Sequence, residues 1–65
     1  MRPNSQSLDA ARRHIYQARS AYAAGDNKRG QLYTIKALNT AQRSRIPRVV
    51  KIVRAEALEL EERDA

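Results

Sequence analysis

A chain of 65 residues has room for one small domain and little room for an enzyme's pocket. With no cysteine, tryptophan or phenylalanine, it has neither disulfides nor thiolate metal sites, so a small aliphatic core or a partner subunit must supply its stability. Thirteen Lys and Arg against seven Asp and Glu give a net charge of +6, unevenly spread: residues 1–54 hold all the basic residues but Arg63 with only Asp9 and Asp26 as acids, whereas residues 55–65 hold Glu56, Glu59, Glu61, Glu62 and Asp64.

Two glycines and two prolines argue against a turn-rich β protein, and 42% apolar content at regular spacing argues against disorder. No apolar run near Met1 resembles a signal peptide, and no stretch approaches the roughly 20 apolar residues of a membrane span, so a cytoplasmic protein is expected.

A flexible segment over residues 1–7 is expected to precede a first helix over 8–24, capped by Ser5 or Ser7, with Asp9 in its first turn. Leu8, Ala11, Ile15, Ala18 and Tyr22 recur at steps of three and four and form its apolar stripe. Gly25 is the stop signal, and Asp26 or Asn27 is the natural cap of the next helix.

The second helix, over 28–43, carries Leu32, Ile35 and Leu38 on one face and the small residues Gly30, Thr34, Ala37 and Ala41 on another. Both faces suit packing, as the middle helix of three requires, with the bulky face expected in the core. Ser44, Arg45, Ile46 and Pro47 break the pattern, because proline disfavours helix at the preceding residue and is tolerated in a first turn. A third helix over 47–62 presents Val50, Val53, Ala57 and Leu60, with Val49 at the edge, and residues 63–65 form a frayed acidic end. The β-branched run Val49, Val50, Ile52 and Val53 would also suit a strand, but it lacks a partner strand. The expected fold is an all-α, compact three-helix domain.

No catalytic constellation is present, and no metal site or cofactor is expected. His14 is the lone histidine, on the border of helix 1, and the glutamates near the C-terminus fan out at helical spacing instead of converging on an ion. The basic residues, by contrast, fall into stripes. Arg12, Tyr16 and Arg19 share a sector of helix 1; Arg29, Lys36 and Arg43 recur seven apart on helix 2 beside Tyr33; and Arg48, Lys51 and Arg54 face outward on helix 3 after Arg45. Glutamate is absent before residue 56, whereas a merely solubilising surface interleaves both signs. Cationic stripes containing tyrosine suit phosphates and base stacking.

The leading expectation is therefore a non-catalytic protein that binds DNA or RNA mainly through phosphates. Helices 2 and 3 as a helix-turn-helix would make Arg45, Arg48, Lys51 and Arg54 the contact set. The alternative is a module that binds an acidic surface of a larger protein and modulates it, of the kind found as accessory or inhibitory proteins of mobile elements. Ile52 and Leu58 lie off the core stripe and are candidates for a homodimer seam or a docking point.

Ala18 in helix 1, Gly25-Asp26 at the turn, then Gly30, Tyr33 and Ala37-Leu38 in helix 2 follow a spacing that resembles a single tetratricopeptide repeat over about half the chain. His14, Gln17 and Gln42 stand where that family favours tryptophan, leucine and proline, and no second repeat follows. The resemblance implies a shared helical-hairpin geometry, and membership would imply peptide or protein binding.

Overall fold

The computed structural model describes residues 3–64, with side chains from Gln6 to Glu62. Three helices account for nearly all of it: α1 over Pro3–Ala23, α2 over Asn27–Ser44 and α3 over Pro47–Asp64, with no strand among the described residues. Short turns make the order up, down, up, and all three helices touch one another, most extensively α1 with α2.

The first helix starts five residues before the expected Leu8, with Pro3 in the first-turn position where its missing N–H costs nothing. Ser7 is thus an interior helical residue and not a cap, the side chain of Ser5 lies outside the described residues, and Asp9 falls beyond the first turn. At the other end, the Asp26 N–H donates to the Ala21 carbonyl at 2.9 Å and the Gly25 N–H to the Tyr22 carbonyl at 3.0 Å. That pair of bonds is a Schellman closure, and Gly25 takes the left-handed φ of 82° that it needs. Asp26 then caps α2 by accepting the Arg29 N–H at 3.2 Å.

The end of α2 solves the same problem without glycine. Arg45 adopts the left-handed conformation, φ 57° and ψ 27°, and its N–H donates to the Gln42 carbonyl at 3.1 Å. The Ser44 hydroxyl donates to the Ala41 carbonyl at 2.6 Å and accepts the Ile46 N–H at 3.2 Å, which ties the turn into Pro47. The β-branched run of α3 is helical because Val49 and Val53 are buried, and burying each side chain is worth about 1.5 kcal/mol or more against helix-propensity costs of roughly 0.7 kcal/mol or less.

The core consists of Ala11, Ile15 and Ala18 from α1, Ala37 and Ala41 from α2, and Val49, Val53, Ala57 and Leu60 from α3. Leu8, Tyr22, Tyr33, Leu38, Ile46 and Val50 pack around it, partly buried. Two expectations change. The small face of α2 points inward, with Gly30, Thr34, Ala37 and Ala41 buried, while Leu32 and Ile35 are 57% and 55% exposed. The cause is helix separation: side chains no larger than a threonine let two neighbours close onto α2, whereas leucine and isoleucine would hold them apart. In α3 the phase is likewise turned, so that Val49 is buried and Val50 lies at the edge. Thr34, buried on this seam, donates its hydroxyl to the Gly30 carbonyl at 2.8 Å.

Candidate functional site

Every Lys and Arg from Arg12 to Arg54 is exposed. Among the described residues two ion pairs form, Arg12 with Glu56 at 3.3 Å and Arg29 with Asp26 at 3.9 Å. The remaining cations in this range, Arg13, Arg19, Lys28, Lys36, Arg43, Arg45, Arg48, Lys51 and Arg54, have no carboxylate partner among the described residues.

The expected contact residues fall into two groups. In the first, Tyr16 on α1 is shared by three neighbouring concavities. One runs between α1 and α2 and is lined by Tyr16, Ser20, Ala24, Asp26, Arg29 and Tyr33. A second lies toward α3 and is lined by Arg12, Ile15, Tyr16, Arg19 and Glu56, and a third lies along α1 and is lined by Asp9, Arg12, Arg13, Tyr16 and Gln17. Tyr16 is 69% exposed, so its ring is open to a ligand, and the Lys36 ammonium stands 5.6 Å from the centre of the half-buried Tyr33 ring. The first group thus joins Arg12, Tyr16, Arg19, Arg29, Tyr33 and Lys36 into one cationic and aromatic surface over α1 and the first half of α2.

The second group is Arg43, Arg45, Arg48, Lys51 and Arg54. These residues ring the turn between α2 and α3 and continue along the outer face of α3, all exposed. Lys36 and Arg43 lie seven residues apart on one stripe of α2, about 10 Å along the axis, so the two groups adjoin along that helix. The set expected for a helix-turn-helix stays together in this second patch, and the left-handed backbone at Arg45 fixes how it turns from one helix to the next.

Three features escaped the sequence reading. Glu56, which helical spacing alone places in a fan of solvated acids, is half-buried against α1 and neutralises Arg12 from 44 positions away. Arg13 and Lys28, left out of the expected set, are as exposed as the residues included, and their placement on outward helix sectors was the available signal. Ile52 and Leu58 do not form one seam. Six residues apart on α3, they point about 120° from each other at 100° per residue; Ile52 is half-buried and Leu58 is 55% exposed.

His14 lies with its ring Nδ1 3.3 Å from the Gln17 amide oxygen on its own helix. Among the described residues no group of three or more His, Cys, Asp and Glu side chains is placed to hold a metal ion. Among the described residues no helix is long and apolar enough to cross a membrane. No protein family matches the chain, and neither a curated protein nor a solved structure matches it.

Proposed function

We propose that this chain is a small, non-catalytic, cytoplasmic protein that binds DNA or RNA, chiefly through phosphates. The observation that carries the proposal is the imbalance of unpaired charge. Nine exposed cations between Arg13 and Arg54 lack a carboxylate partner, while of the acids up to Glu56, Asp26 caps α2 and Glu56 holds Arg12. Such a surface binds polyanions by counterion release, and Arg side chains add directional hydrogen bonds to phosphate oxygens. Tyr16 and Tyr33, in the same groove as Arg29, provide rings for stacking against an unpaired base.

The test is the salt dependence of anisotropy with a labelled DNA duplex and a labelled single-stranded RNA. Binding must weaken steeply with salt, and Lys51→Ala must lower the logarithmic slope by roughly 1 without affecting helix content. Absence of binding to both probes at low salt overturns the proposal.

A further inference from the structure

Of the three tyrosines, one is taken up by packing, since the Tyr22 ring lies against Gly30 and the core. Tyr16 and Tyr33 are placed differently. They line one concavity of about 340 Å³ from its two walls, Tyr16 on α1 and Tyr33 on α2. Tyr16 stands eight residues before Ala24 and Tyr33 seven after Asp26, about 12 and 10 Å from the turn, so the two are level across the groove. Tyr33 is half-buried against the core, which holds its ring in place, whereas Tyr16 is 69% exposed. Beyond Tyr16 the exposed α1 wall continues turn by turn as Ser20 and Ala24, neither large enough to fill the space.

Positive charge surrounds the two rings. Arg12 and Arg19 share the adjoining concavity with Tyr16, the Lys36 ammonium stands 5.6 Å from the centre of the Tyr33 ring, and Arg29 lines the groove itself. The one carboxylate lining this groove is engaged: Asp26 Oδ1 accepts the Arg29 N–H, and Oδ2 lies 3.9 Å from the Arg29 Nε. That side-chain pair is long and exposed, so Arg29 can exchange it for a phosphate oxygen at little cost.

We infer that this groove takes one unpaired nucleobase, stacked on Tyr16 and Tyr33 with its flanking phosphates on Arg19, Arg29 and Lys36, and that the protein therefore selects single-stranded over double-stranded nucleic acid. The inference rests on the nucleic-acid binding proposed above and adds which form is bound. The volume is at the lower end of ligand concavities and has room for one nucleoside, not for a run of bases. A base within a duplex is covered on both faces and reaches the groove only by unpairing and unstacking. Charge alone points the other way, because a duplex carries the higher density of phosphate, so a preference for single strands has to come from the rings.

Anisotropy across a salt series, with a labelled single-stranded RNA, a DNA strand of the same sequence and its duplex, tests the inference on the full chain. At physiological salt a single strand should bind at least about tenfold tighter than the duplex, and the tighter of RNA and DNA identifies the strand. Tyr16→Ala should weaken single-strand binding by about 5- to 100-fold while duplex binding and the logarithmic salt slope stay unchanged. Tyr16→Phe should restore the affinity, since stacking needs the ring and not the hydroxyl. Ser20→Leu fills the groove from an exposed helical position and should give the same selective loss without removing a ring or a charge, with circular dichroism still helical. Equal or tighter binding to the duplex overturns the inference and leaves phosphate binding in place, and so does a Tyr16→Ala loss that falls equally on both forms. Absence of binding to every probe overturns both readings.

Discussion

Gly30 lies against the ring of Tyr22 so closely that a Cβ at position 30 would stand 2.8 Å from the ring's Cε1 and Cζ. This contact draws the start of α2 onto the end of α1, and it explains why a residue of poor helix propensity occupies the second turn of a helix. Gly30→Ala should gain up to about 1 kcal/mol in propensity yet destabilise the protein by about 1 kcal/mol net, because the half-buried ring must move. In a Tyr22→Ala background the same change should stabilise by about 0.5 to 1 kcal/mol. Thermal denaturation of the four proteins gives this cycle; additive effects would show that ring and glycine are not coupled.

The inversion of α2 makes a sharp contrast between two aliphatic side chains. Val53→Ala removes methyl groups from a fully buried position and should cost about 1 to 3 kcal/mol, a large share of the stability of so small a domain. Ile35→Ala should change the stability of the monomer by less than about 0.5 kcal/mol. Urea titrations at concentrations low enough to avoid association separate the two cases.

Arg45 holds a left-handed conformation in which its Cβ crowds the backbone, at a cost of about 1 kcal/mol. Arg45→Gly should therefore stabilise the fold by about 0.5 to 1 kcal/mol despite the loss of a side chain. If Arg45 touches phosphate, the same variant should show a logarithmic salt slope lower by roughly 1, so a more stable protein would bind nucleic acid more weakly.

The ion pair of Arg12 and Glu56 is too exposed to matter much for folding, with side chains 53% and 26% accessible, and is worth about 1 kcal/mol at most. Its effect on binding is larger, because Glu56 places a negative charge inside the cationic surface around Tyr16 and Arg19. Glu56→Gln should tighten nucleic-acid binding by a few-fold at low salt with little change in melting temperature. Unchanged binding would place the phosphate contacts elsewhere.

The helix count, the turn glycine, a cap at Asp26 or Asn27 and the stripe of α1 were all legible in sequence, because each rests on local rules of spacing and capping; the structure puts the cap at Asp26. The inward face of α2 was not. Leu32 with Ile35 and Gly30 with Ala37 form two stripes of equal regularity, and the choice between them depends on how closely α1 and α3 approach, which is a tertiary quantity. That the cationic residues lie on exposed sectors of the helices was legible by type and spacing. The neutralisation of Arg12 by Glu56 was not, since nothing local links positions 44 apart.

A core in which nothing larger than valine is fully enclosed also shapes how the protein unfolds. Heat capacity and denaturant sensitivity scale with the apolar surface released, and an interior mostly of alanines and valines, with Ile15 and Leu60 as the larger buried aliphatics among the described residues, releases little. The heat-capacity increment should fall below the roughly 0.8 kcal/mol/K usual for a chain of this length, and the melting transition should be broad. A shallow stability curve of this kind changes little between cold and moderate warmth, so the monomer's folded population would be nearly insensitive to temperature over that range.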